Sequence, residues 1–119
     1  MRVAGFGFRR AARLESLADA LARLETHYGV VDRLAATQTM SSLVQELGDR
    51  RGIAVIAVAD AALASVTTLT YSRHSLRTRG TGSVAEAVAL LAAGPDATLF
   101  GPRLISVDRL ATVAVAEGA

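Results

Sequence analysis

Ile53-Ala54-Val55-Ile56-Ala57-Val58-Ala59 is an unbroken apolar run with no polar alternation. Its length suits a strand, and the missing alternation suits one buried on both faces of a parallel sheet. Working upstream, Arg2-Val3-Ala4-Gly5-Phe6-Gly7-Phe8 reads as a first strand. Gly5 and Gly7 leave one of its faces bare, so something can approach closely there. Leu14, Leu17, Leu21, Leu24 and Tyr28 form one helical stripe, and Gly29 closes that helix. Arg33 to Gln38 reads as a second strand. Ser42 with Gln45 three residues on has capping-box spacing and opens a short helix expected to stop at Gly48. Asp60 is placed to cap a one- or two-turn helix to Ser65.

Downstream, Thr67 to Arg79 has no clean period and reads as a loop with at most a short strand. Ser83 to Ala93 is a helix with Val84, Val88 and Leu91 inward, ended by Gly94-Pro95-Asp96. Ala97-Thr98-Leu99-Phe100-Gly101-Pro102-Arg103 reads as a strand and its exit. Asp108-Arg109 is a turn, and Ala111 to Ala116 is a final buried strand. Strands alternating with helices predict an α/β domain. The expected form is one domain over residues 1–119, a three-layer α/β/α sandwich around a mostly parallel, partly mixed sheet. The last strands are the ones expected to run antiparallel.

Composition narrows the chemistry. The chain has 119 residues, 51% of them hydrophobic but only 4% aromatic, so Leu, Val and Ala must build the core. There is no Cys, which removes disulfides and thiolate chemistry. All 13 basic residues are Arg, and neither Lys nor Asn occurs. Arg grips carboxylate or phosphate bidentately but supplies no amine for Schiff-base chemistry. The net charge of +2 gives no case for nucleic acid. With no apolar leader and no membrane-length apolar stretch, the expected location is the cytoplasm.

In open α/β sheets, ligands gather beyond the carboxyl ends of the strands. Gly7, Phe8, Arg9 and Arg10 follow the first strand, and Thr37, Gln38 and Thr39 the second. Gly80, Thr81, Gly82 and Ser83 open the late helix with unpaired backbone N–H groups. Guanidinium, hydroxyl, amide and N–H donors together suit an anion with several oxygens. Phe8 and Met40 can lie against a ring face. Ser83 and Glu86 are spaced as a capping pair. Glu86 and His74 are the only candidates for acid–base work, and neither has a supporting constellation. His27 and His74 make no zinc pattern, so no metal is expected. Gly5-x-Gly7 lacks the third glycine and the distant acid of a dinucleotide fingerprint, and no cofactor is expected.

Several stretches together resemble the CobE and CbiG C-terminal domain family of cobalamin biosynthesis. They are Val3-Ala4-Gly5-Phe6-Gly7-Phe8-Arg9-Arg10, Leu34-Ala35-Ala36-Thr37, Gly80 to Gly94, Leu99-Phe100-Gly101-Pro102-Arg103 and Ala111 to Ala116, in order along nearly the whole chain. The resemblance implies an α/β domain that handles corrin-ring intermediates, which carry several acetate and propionate carboxylates. It implies a corrinoid or precorrin partner, together with other enzymes of that pathway, and leaves the oligomeric state open. Hydrolysis of a ring lactone, as in CbiG-type proteins, is one alternative. A small partner-binding subunit is another. Where the family commonly shows an acidic residue and a Lys after the second strand, this chain has Gln38-Thr39-Met40-Ser41-Ser42. Arg103 stands where a Lys is frequent. Both departures favour binding over catalysis.

Overall fold

The structure, a computed structural model, describes residues 1–66 and 83–118. The expected loop from Thr67 to Arg79, with His74, and the glycine turn Gly80-Thr81-Gly82 lie outside the described residues.

Six strands form one open sheet among the described residues: β1 (Arg2–Phe8), β2 (Arg33–Thr37), β3 (Val55–Val58), β4 (Thr98–Leu99), β5 (Leu104–Ile105) and β6 (Ala111–Glu117). The order is β3-β2-β1-β6-β4, with β5 also paired to β6. β1, β2 and β3 are parallel neighbours. β6 runs antiparallel to β1 and also to β4 and β5. Five strands therefore point one way and β6 alone opposes them. This is the mixed sheet expected, although reversal of β6 makes three of its five pairings antiparallel.

Among the described residues three α-helices cover the sheet: α1 (Leu14–Tyr28), α2 (Ser41–Arg51) and α3 (Val84–Ala93). Strand alternation sorts the core into two faces. Ala4 and Phe6 of β1 and Ala111, Val113 and Val115 of β6 point toward α1 and α2, meeting Leu17, Leu21, Leu24, Val44 and Leu47. Val3, Ala35, Ala114 and Ala116 point the other way, toward α3. A 15-residue helix such as α1 is marginal alone in water. Full burial of Leu17, Leu21 and Leu24, at about 2 kcal/mol each, is what holds it. Gly29 ends α1 at φ 97, a backbone few other residues accept, and its N–H donates to the Glu25 carbonyl.

The bare face of β1 is where α3 lies. A Cβ on Gly5 would sit 2.4 Å from Ala89 N and 2.5 Å from the Ala85 carbonyl oxygen. α3 presents Ala85 and Ala89 to Ala114 and Ala116 in the same layer. Small residues on helix and sheet thus set an unusually close approach.

Four expectations need correction. The apolar run at Ile53–Ala59 is not a strand buried on both faces. β3 is the end strand of the described sheet; Val55 and Ile56 are half-buried and Ala57 is exposed. Apolar content reports a strand but not its place in the order. The capping box at Ser42 does not form, because α2 starts one residue earlier and Gln45 instead donates to Asp49 at 2.9 Å. Nor does α2 stop at Gly48; it continues to Arg51 and ends on Gly52, at φ 66. Gly48 is small for contact, since a Cβ there would lie 2.6 Å from Val55 Cγ2. Asp60 does not cap the helical segment to Ser65: Ala59 holds the cap position, Asp60 is the first residue of a 3-10 turn, and its carboxylate accepts from Thr39 instead.

Candidate functional site

Both crossover helices of the parallel half, α1 and α2, lie on one face of the sheet, and α3 lies on the other. Chain order therefore changes direction beside β1, the kind of place where α/β sheets hold ligands. An open cleft of about 1000 Å³ lies there. Gly7, Phe8, Arg9 and Arg10 come from the exit of β1. Thr39, Met40, Ser42 and Leu43 come from the exit of β2 and the start of α2. Ser83 and Val84 come from the start of α3. Arg103, Ile105, Asp108, Arg109, Leu110 and Thr112 close the remaining side.

The antiparallel pairing of β6 brings that last group in. Phe8 pairs with Ala111, so the turn before β6 stands at the carboxyl end of β1. Arg9 N–H donates to the Leu110 carbonyl at 2.8 Å and continues the pairing past the strand. Residues a hundred positions apart in sequence thereby share one wall.

The cleft is cationic. Among the described residues four arginines line it, Arg9, Arg10, Arg103 and Arg109, against one acidic residue, Asp108. Arg9, Arg10 and Arg109 are exposed, and Arg103 is half-buried. Asp108 accepts from Ser16 Oγ at 2.6 Å, Ser106 Oγ at 2.5 Å and Leu110 N–H at 3.0 Å. The Ser106 hydroxyl foremost, then Ser16 and Leu110 N–H, hold its pKa below the ordinary carboxylate value. Arg109 sits at φ 62, a left-handed backbone unusual for a residue with a side chain. Phe8, Met40, Leu43 and Ile105 add half-buried apolar surface to the same cleft.

Of the residues singled out from sequence, Gly7, Phe8, Arg9, Arg10, Thr39 and Ser83 come together in this wall. Thr37 and Gln38 do not line it. Thr37 is fully buried, its hydroxyl 3.4 Å from that of Thr39, and Gln38 is exposed outside the cleft. Thr39 donates its hydroxyl to Asp60 at 2.7 Å, which fixes the rim between β2 and β3. Gly80, Thr81, Gly82 and His74 lie outside the described residues. Ser83 Oγ caps α3 by accepting from Glu86 N–H at 3.3 Å. Glu86 lies behind the cleft. Its carboxylate is fully buried and accepts from Arg103 N–H at 2.9 Å, so the exit of β4 is pinned to the first turn of α3.

Sequence reasoning placed Arg103 in a motif and Asp108-Arg109 in a turn, but put none of them in the site. Arg109 left no local signal. Positive φ is normally read from Gly or Asn, and this chain has no Asn. Among the described residues no three His, Asp or Glu side chains cluster as metal ligands. No helix there is long and apolar enough to cross a membrane.

Comparison with known proteins bears on the family and the fold. No curated protein sequence matches the chain significantly. Among solved structures, CobE, a protein of the cobalamin (vitamin B12) biosynthetic pathway, is 30% identical with a TM-score of 0.85, over 98% of this chain and 89% of CobE. The cobalamin biosynthesis protein chiG from Agrobacterium tumefaciens str. C58 is 29% identical with a TM-score of 0.76, over 100% of this chain and 99% of that one. A cobalamin biosynthesis protein G homologue from Sulfolobus solfataricus shares the fold, with a TM-score of 0.73 at 18% identity. This chain covers 36% of that longer protein. The family model described as cobalamin synthesis G C-terminus matches residues 2–116, which take in almost the whole described sheet and the three described helices. The chain therefore belongs to the CobE and CbiG C-terminal family of cobalamin biosynthesis proteins.

Proposed function

We propose that the protein binds a polycarboxylated corrin-ring intermediate in the arginine-lined cleft, as a carrier or accessory to ring processing. The observation that carries this reading is the charge balance of the wall among the described residues: four arginines line it beside one carboxylate that is already committed to two hydroxyls and an N–H. Among the described residues, the side chains of Arg9, Arg10 and Arg109 make no hydrogen bond or ion pair of their own. A ligand with several separated carboxylates supplies what such a wall is missing. Phe8, Met40 and Leu43 offer apolar surface for the face of a macrocycle. Each charge-assisted contact contributes about 1.5–3 kcal/mol at best, and less at exposed positions such as these. Several must therefore act together.

The test is a titration with hydrogenobyrinic acid and earlier precorrins, followed by ligand absorbance and by co-elution on a sizing column. Selective co-elution is expected. Replacing Arg9 and Arg10 together with Ala should weaken binding about tenfold or more with the melting temperature unchanged. Equal affinity in the double variant would remove the clamp. Failure of the wild type to retain any of these ligands would overturn the reading.

A further inference from the structure

Among the described residues, Asp108 is the one carboxylate in the wall of a cleft whose other charged residues are all arginines. By charge alone it opposes an anionic ligand, and its bonds supply the reason for its presence. The Ser16 hydroxyl that donates to Asp108 Oδ2 at 2.6 Å sits in the first turn of α1, where it also accepts from Arg13 N–H at 3.2 Å. Ser106 Oγ and Leu110 N–H converge on Oδ1. The carboxylate thus ties the whole turn between β5 and β6 to the start of α1. Val107 N–H adds a second tether, donating to Asp19 of α1 at 2.8 Å.

That turn carries two of the four arginines, one directly and one through the backbone. Arg109 lies inside it, its left-handed backbone closed by an N–H bond to the Ser106 carbonyl at 2.9 Å. Leu110, whose N–H is held by Asp108, accepts from Arg9 N–H at 2.8 Å.

We propose that Asp108 is a positioning residue of the cleft: it holds the turn that presents Arg109 and, through Leu110, the backbone of Arg9, setting both guanidinium groups for a multiply charged ligand. This rests on the reading that the cleft binds a polycarboxylate. Positioning and charge predict opposite signs. If the carboxylate acted only through its charge, every neutral replacement would strengthen anion binding alike. A positioning role makes the outcome depend on whether the replacement keeps an acceptor for Ser106 and Leu110.

The experiment titrates wild type, Asp108→Asn, Asp108→Ala, Arg109→Ala and the Asp108→Ala/Arg109→Ala double variant with hydrogenobyrinic acid. Asn and Ala carry the same charge, but only Asn keeps the acceptor. Asp108→Ala is expected to bind about tenfold more weakly than Asp108→Asn. With Arg109 already removed, the Ala-for-Asp change is expected to cost about threefold or less. Equal affinity of the Asn and Ala variants would overturn the proposal while leaving the polycarboxylate reading intact. The same cost with and without Arg109 would also overturn it, since the effect would then be general loosening. Absence of binding by the wild type would remove both. Circular dichroism checks that Asp108→Ala folds. If it does not, Ser16→Ala takes its place, removing one tether at constant charge. About threefold weaker binding is then expected, and unchanged binding overturns the proposal.

Discussion

Replacing Gly5 with Ala tests the close seat of α3 on β1. The new Cβ would lie 2.4 Å from Ala89 N, 2.5 Å from the Ala85 carbonyl oxygen and 2.8 Å from Ala89 Cα. All three are backbone atoms of α3, so no side chain can swing aside. Ordinary contact requires α3 and β1 to separate by about 1 Å. A gap of that size forfeits roughly a quarter to a half of the dispersion energy across the seam. Val84, Ala85, Ala87, Val88 and Ala89 of α3 are all buried, so the loss runs the length of the helix. Overpacking of this kind costs about 3 kcal/mol, and the lower backbone entropy of unfolded Ala returns less than about 1 kcal/mol. A net loss of about 2–3 kcal/mol corresponds to a fall of roughly 8–12 °C in melting temperature for a domain of this size. Urea unfolding and a thermal scan measure it. Gly7→Ala is the internal control, because the nearest atoms to its Cβ would be Thr112 Oγ1 and Val84 Cβ at 3.1 Å and Ala85 N at 3.3 Å. A Gly5→Ala protein within about 1 kcal/mol of wild type, or less damaged than Gly7→Ala, would refute the argument that glycine is there to seat α3.

The two glycines of α2 separate by mechanism. Gly48→Ala drives a Cβ to 2.6 Å from Val55 Cγ2 and 2.7 Å from the Ile53 carbonyl oxygen, and should cost about 2 kcal/mol. Gly52→Ala meets nothing within 4 Å but must hold φ 66, and should cost about 1 kcal/mol in the same urea melts. Glu86→Ala removes the buried acceptor of Arg103 N–H and should cost about 3 kcal/mol, whereas Glu86→Gln, which keeps an acceptor, should cost clearly less. Equal losses in the two Glu86 variants would count against the bond. The pKa of Asp108 is depressed in the folded protein. Its contribution is therefore present above the ordinary carboxylate range and is lost as pH falls through the folded value. Asp108→Asn should make the decline in melting temperature shallower below about pH 4, and identical slopes would argue that these bonds add nothing.

Much of the fold was legible because its signals are local. The Leu14 to Tyr28 stripe and the Gly29 stop define α1, and the helix from Val84 to Ala93 begins at the Ser83 cap and ends at Gly94. Gly5 and Gly7 announced a close neighbour on one face of β1, and that neighbour is α3. What stayed hidden is non-local. A continuous apolar run could not tell an end strand from a central one, so β3 was misplaced. Gly48 looked like a helix stop because steric contact with Val55 leaves no mark in the neighbouring sequence. Part of the candidate site was legible for the same reason: Phe8 to Arg10, Thr39 and Ser83 follow directly from strand and helix ends. Arg103, Asp108 and Arg109 were missed because only the reversed direction of β6, and its register against β1, carries them to that end of the sheet.

The same pairing has a consequence at the opposite pole. Arg2 faces Glu117, and Met1 and Gly118 exchange bonds, the terminal amine donating to the Gly118 carbonyl at 3.2 Å and Gly118 N–H to the Met1 carbonyl at 3.0 Å. The length of β1, roughly 20 Å at the usual rise, separates this point from the cleft. A tag or fused partner at either end would project away from the arginine wall. A short linker joining the two ends would let the backbone be reopened in the turn at Gly94-Pro95-Asp96, giving a permuted molecule in which the β1 and β6 halves of the wall are made in the reverse order.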